Sequence, residues 1–271
     1  MIAVAGSANA AGAPTATAAS LERGYHAMYN LDFPAAQAEF NAWQQQSPAD
    51  PLGPVSEAAG LLFSELDRLG VLETQLFSDD SRFESRKKLA PDSATREKFQ
   101  AALGRAETAA SARLSKNPND LDALFAMAMA SGLRADYTAL IDKRNMASLG
   151  YTKDANAWAA KLLKQSPQYY DAYLATGLSK YIVGSLIAPV RWLLHFGGYD
   201  GDKKQGIAEL QLTADHGHYL APFARLLLAV SYLREKDRPH AREILAGLRD
   251  EFPGNPLFPR EIARLDEQQR R

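Results

Sequence analysis

One stretch of this chain occurs twice, once near each end. Residues 32–48, DFPAAQAEFNAWQQQSP, align with residues 237–253, DRPHAREILAGLRDEFP, at a constant shift of 205 positions. Asp32 pairs with Asp237, Pro34 with Pro239, Ala36 with Ala241, Phe40 with Leu245, Trp43 with Leu248 and Pro48 with Pro253. Each residue type has a physical task. An aspartate just ahead of a helix accepts hydrogen bonds from backbone N–H groups that the first turn leaves free. A proline inside that turn loses no bond, because its missing donor had no partner there. Positions 36, 40 and 43, like 241, 245 and 248, fall on one helix face. The second proline ends the helix. In the helix before each copy, Gly24 corresponds to Ala229, a small residue where a partner helix must come close.

Two further helices end alike, at Pro118 after AETAASARLSKNP and at Pro167 after AWAAKLLKQSP. After Pro167, YYDAYLATG places Ala172, Tyr173 and Gly177 in a new first helix. A unit of two antiparallel helices, with a small residue in helix A, an alanine opening helix B, a large apolar residue four later and a closing proline, is the tetratricopeptide (TPR) pattern, with a period of about 34 residues. The shift of 205 is close to six such periods. The spacing between closing prolines is uneven (70, 49 and 86 residues), so the units carry insertions.

The pattern predicts helices over 19–30, 33–46, 53–69, 93–116, 119–132, 134–148, 153–165, 168–184, 189–196, 202–215, 220–235, 238–250 and 257–269. Segment 71–92, with SDDSRF and LAPDS, reads as a long loop. No stretch reads as a strand. Each helix pair has an apolar face too wide to leave in water, so neighbours must stack. The expected fold is therefore all-α, a TPR-like α-solenoid of antiparallel helix pairs with inserted helices and a charged C-terminal capping helix, REIARLDEQQRR. Residues 19–271 read as a single domain, preceded by a disordered segment over 1–18.

That leading segment, within MIAVAGSANAAGAPTATAAS, is small and uncharged. Ala8 and Ala10 suit a secretory cleavage site, although no basic region precedes them. It reads either as the tail of a signal peptide, with export to the periplasm expected, or as a disordered start in a cytoplasmic protein. The chain has no cysteine, which excludes a disulfide framework, a thiolate metal site and a cysteine nucleophile. Its net charge of −1 offers no basic field for nucleic acid. YIVGSLIAPVRWLLHFGG, residues 181–198, is short, holds Pro189 and Arg191, and reads as a buried helix pair rather than a membrane span.

FGGYDGDKKQG, residues 196–206, has the most chemical appearance. As a phosphate loop it puts Asp202 at the second glycine and Lys204 at the hydroxyl position, and no strand precedes it. As a calcium loop it puts Lys204, Gln205 and Gln211 where oxygen, glycine and glutamate are needed. Both readings fail. A turn fits: Gly197 and Gly198 end one helix and Asp202 caps the next. HGH at 216–218 lacks a third ligand placed by spacing and reads as a helix end. Asp79 and Asp80 read as turn residues, and RKK at 86–88 as a solvated patch. No cofactor and no metal site is expected.

The second half of the chain resembles a group of TPR proteins widespread in bacteria. It is similar, more distantly, to a eukaryotic family that includes the mitochondrial outer-membrane inclusion-body clearance protein. The residues that carry this are GYHAMYNLDFPAA, YYDAYLATGLSKYIVGSL, VRWLLHFGGYDGDKKQGIAEL, YLAPFARLLLAVSYLREKDRPHAREIL and EFPGNPLF, about half the chain. The turn holding Gly201, Asp202, Lys203 and Gly206 occupies the same place in that family. The resemblance implies an interaction scaffold without catalytic residues, and it leaves peripheral membrane contact open. A repeat array of this kind presents its helix A faces to a concave groove, which nominates Tyr25, Met28 and Tyr29, Leu178 and Tyr181, and Val230. That face is apolar. Either the inserted helices fill it, which is the favoured reading, or it receives an apolar helix or a lipid-like ligand. The expected function is a non-enzymatic scaffold for a protein or peptide partner, with a carrier of an apolar small molecule or lipid as the alternative.

Overall fold

The structure, a computed structural model, describes residues 16–72, 90–185 and 201–270. Among these residues there are eleven α-helices and no strand: α1 (Ala16–Tyr29), α2 (Phe33–Gln46), α3 (Leu52–Arg68), α4 (Ser93–Lys116), α5 (Leu121–Asp136), α6 (Asn145–Gln165), α7 (Tyr173–Ser185), α8 (Lys203–His216), α9 (Ala221–Arg234), α10 (Arg238–Glu251) and α11 (Leu257–Gln269). Every helix packs on the next in sequence, and α3 also reaches α5. The architecture is the all-α solenoid of antiparallel pairs that the sequence pattern predicts. Helix α1 starts at Ala16, within the segment expected to be disordered. Residues 1–15, most of the expected loop over 71–92, and the expected helix 189–196 lie outside the described residues.

The duplicated stretch folds twice in the same way. Asp32 accepts from the Ala35 N–H at 3.1 Å, and Asp237 from the His240 N–H at 3.3 Å. Ahead of each cap the chain turns through a left-handed residue, Leu31 at φ 61° and Lys236 at φ 64°. In both turns the next N–H closes back five residues, Asp32 to the Ala27 carbonyl and Asp237 to the Tyr232 carbonyl, each at 2.9 Å. This six-to-one bond with a left-handed residue inside it is how many helices satisfy their last carbonyls. Downstream, Pro51 precedes α3 and Pro256 precedes α11, again 205 positions apart. Ala36, Phe40 and Trp43 are buried in one hairpin, Ala241, Leu245 and Leu248 in the other.

Close helix approach explains the small residues. A methyl group placed on Gly24 would stand 2.3 Å from the Phe40 ring. On Gly206 it would stand 2.5 Å from the backbone nitrogen of Tyr181, so α7 and α8 cross nearly in backbone contact. The capping helix α11 buries Phe258, Ile262 and Leu265 at i, i+4, i+7 against α10 and the adjoining core, and its Asp266 takes both prongs of Arg242.

One region departs from the expected elements. No separate helix spans 134–148. Helix α5 runs to Asp136, passes into a π turn over Tyr137–Ile141, and the chain turns at Lys143 with φ 55°. Helix α6 then runs unbroken from Asn145, through Gly150. Gly150 falls in the gap between the expected helices 134–148 and 153–165, but nothing lies within 4 Å of its Cβ direction, and it sits inside the helix as a tolerated residue. The π turn stacks Tyr137 on Phe99 at 5.0 Å, with Arg96 over the ring at 5.7 Å.

Candidate functional site

The two ends of the solenoid meet. Tyr25 on α1 stacks on Tyr219 ahead of α9, centroid to centroid 4.9 Å. The Tyr29 hydroxyl donates to the Tyr219 carbonyl at 2.9 Å. Phe63 on α3 meets Phe223 on α9 edge to face at 5.4 Å, and His26 and Tyr29 both lie against Phe252 after α10. Asn30 and Asn255 complete the seam. Asn30 Oδ1 accepts from the Gly254 N–H, and Asn255 Nδ2 donates to the Tyr29 carbonyl, each at 2.9 Å. At the seam's outer edge His218 faces Glu22 at 3.1 Å.

Asp171 fixes the segment that α1 meets. Its buried carboxylate accepts from the N–H groups of His218 at 2.9 Å, Tyr219 at 3.2 Å and Leu220 at 2.8 Å. Burial pushes its pKa up, and the three N–H groups pull against that rise. The result is a non-helical turn held rigidly, with the Tyr219 ring and carbonyl turned to α1.

The nominated residues fall into two groups. Tyr25, Met28 and Tyr29 come together at this seam and are buried there, from 1% to 8% exposed. Tyr25 accepts from Ser56 Oγ at 3.0 Å, and burial pushes both phenols to higher pKa. Leu178 and Tyr181 sit on α7 and Val230 on α9, away from the seam; Tyr181 and Val230 are buried and Leu178 is half-buried. The structure thus packs most of the apolar face against its own chain. At the α1 end the covering group is the turn before α9 and the start of α9.

Beside the seam an apolar recess stays open, lined by Met28, Tyr29, Phe63, Phe223, Leu226 and Phe258 among others. Its free volume is about 40 Å³. One water needs about 10–15 Å³ on this measure, so the space suits a single side chain. The helix A faces read from the sequence include four of these residues, Met28, Tyr29, Phe223 and Leu226, of which the first two are nominated for the site. Sequence reasoning missed Asp171, Asn30, Gly254 and Asn255. The available signal was a departure from the duplicated plan: Asn255 stands where the first copy has Asp50, and Gly254 where it has Ala49.

The other chemical-looking residues are structural where they are described. Asp202 caps α8, accepting from the Gln205 N–H at 3.0 Å. Gly197 and Gly198 lie outside the described residues, as do Asp79, Asp80 and residues 86–88. His216 ends α8 against the Tyr170 ring, and Gly217 is its C-cap. Among the described residues no three His, Asp or Glu side chains converge as a metal set, and no helix is long and apolar enough to cross a membrane.

No family model matches the chain, and no curated protein matches it. Among solved structures it is similar to TTC0263, described as a thermophilic TPR protein in Thermus thermophilus. That similarity has 17% sequence identity, covers 92% of this chain and 98% of the other, and has a TM-score of 0.46.

Proposed function

We propose that this chain is a non-enzymatic helical-repeat scaffold whose partner is a protein or peptide, bound by seating one apolar side chain in the recess beside the seam. The observation that supports this reading is the recess itself: apolar walls, room for one side chain, and half-buried Phe63, Phe223 and Leu226 around it. A pocket for a free small molecule has a volume on the order of 300–1,000 Å³. The recess is far below that, which favours a protein anchor over a carried lipid. A single apolar anchor in a preformed pocket is the usual centre of a protein contact.

The test is affinity capture from the source organism with two baits, the native chain and Leu226→Glu. The carboxylate would be placed in the apolar recess, and the expected result is one discrete partner held by the native chain and lost by the variant. Circular dichroism should show the variant equally helical. Equal capture by both baits, or none by either, contradicts the proposal. Native mass spectrometry after mild extraction addresses the carrier reading, which would require a bound apolar mass.

A further inference from the structure

We infer that the inner face of α5 holds a notch, made by Gly132 and Asp136, that seats a lysine side chain of a peptide partner. Phe125, Met129, Gly132 and Asp136 are spaced four, three and four residues apart, so they share one helix face. That face looks toward α1, since Met129 Sδ accepts a weak bond from the Tyr25 hydroxyl at 3.8 Å. Phe125 is buried and the other three are half-buried, so solvent reaches this part of the face. At Gly132 no atom of the described residues stands within 4 Å of the position a Cβ would take. Packed carbon atoms rest about 3.5–4.0 Å apart, which leaves room there for an alkyl stem. Helical side chains lean toward the N-terminus, which brings the Asp136 carboxylate over the turn that Gly132 leaves bare.

Asp136 differs from the acids around it. Glu107 on α4 pairs with Arg134 at 2.7 Å, and Asp142, after the π turn, with Arg96 at 3.6 Å. Among the described residues, Asp136 has neither an ion pair nor a side-chain hydrogen bond, and burial alone pushes its pKa up. It stands near the C-terminal end of a helix, where the last carbonyls disfavour an anion and favour a cation. An uncompensated carboxylate in such a place gains most from a cation brought from outside. A lysine matches both halves of the notch: its unbranched stem lies along bare backbone, and its compact ammonium meets the carboxylate. The planar guanidinium of arginine is broader than a gap one glycine wide. The peptide source rests on the scaffold role proposed above; the preference for an ammonium rests on the notch alone.

The probe is lysine in peptide form, N-acetyl-lysine N-methylamide, titrated at pH 8 into the isotope-labelled full chain while the amide signals of residues 132 and 136 are followed by NMR. No partner is present, so the result is independent of the recess. Saturable shifts at these amides are expected. N-acetyl-norleucine N-methylamide, which keeps the stem and lacks the charge, should bind at least about tenfold more weakly, the scale of one charged hydrogen bond. Asp136→Asn, which removes the charge, and Gly132→Leu, which fills the gap, should each weaken binding of the lysine probe by about tenfold or more, with unchanged helicity by circular dichroism. Free n-butylammonium should bind no tighter than the capped lysine. Absence of saturable shifts, equal binding of the norleucine form, or undiminished binding by either variant would overturn the inference. Butylammonium bound about tenfold tighter than the capped lysine would overturn the peptide source.

Discussion

In the first hairpin Gly24 faces Phe40; in the last, Ala229 and Leu245 hold the matching positions. The larger residue on one helix goes with the smaller on the other, so both hairpins close at the same turn with the same caps. What separates them is their outer surroundings. The first carries Tyr25, His26 and Tyr29 where the last has Val230, Ser231 and Arg234, and those aromatic rings are what the seam uses. The lesson is that the hairpin plan needs few residues, leaving the remaining positions free to decide what each copy packs against.

The pairing of volumes can be broken most severely at Gly24. Gly24→Ala drives a methyl into a fully buried ring and should cost about 2 kcal/mol, even after alanine's gain in helix propensity. Phe40→Leu alone should cost about 1–2 kcal/mol through the space it leaves. The double variant recreates the last hairpin's pair and should be more stable than the sum implies, with a coupling of about 1 kcal/mol or more in urea denaturation. Strict additivity would mean that the two positions are not a matched pair.

Asp136 lies in a region without a counterpart in either hairpin. Burial pushes the Asp136 carboxyl, at the end of α5, up to about 7. Between the ordinary carboxylate pKa near 4 and that value, the folded state binds a proton that the unfolded state has lost. Stability therefore falls as pH rises from about 4 to about 7, and levels above that. Asp136→Asn should flatten this slope. Because the residue is only half-buried, the gain at pH 8 should be about 1–2 kcal/mol rather than the full value of the shift. Thermal melts at pH 5 and pH 8 read both points, and an unchanged slope would contradict the assignment.

Much of this fold is legible in sequence because its signals are local. Asp32 and Pro34, or Asp237 and Pro239, announce a helix start within three residues, and the apolar positions behind them follow one face. The break at Lys143 is not legible: a lysine in the left-handed region has no sequence signature, whereas Gly150 carries one and is merely helical. The seam is harder still. Asn30 and Gly254 are 224 residues apart, and nothing near either announces the other. Only comparison of the two copies, Asp50 against Asn255 and Ala49 against Gly254, marks where the last hairpin does something the first does not.

Smaller effects sharpen the equivalence of the copies. Removing either cap, Asp32→Ala or Asp237→Ala, should cost about 1 kcal/mol at neutral pH by urea denaturation, and a difference above about 1 kcal/mol between them would argue against a shared role. The left-handed residues should respond unequally. Lys236 is exposed, and Lys236→Gly should stabilise by a few tenths to about 1 kcal/mol through relief of backbone strain. Leu31 lines the recess, so Leu31→Gly should gain nothing, as lost apolar contact offsets the relief.

The central claim is that the two ends of the solenoid meet, and one cross-link tests it most directly. A Cβ on Gly254 lies 3.4 Å from the Cβ of Asn30, close to the separation a disulfide spans. The chain has no other thiols, so Asn30→Cys with Gly254→Cys, mildly oxidised at low concentration, should give a monomer with residues 30 and 254 joined, identified by peptide mapping. Free thiols, or only bonds between separate chains, would show that the first and last hairpins stand apart.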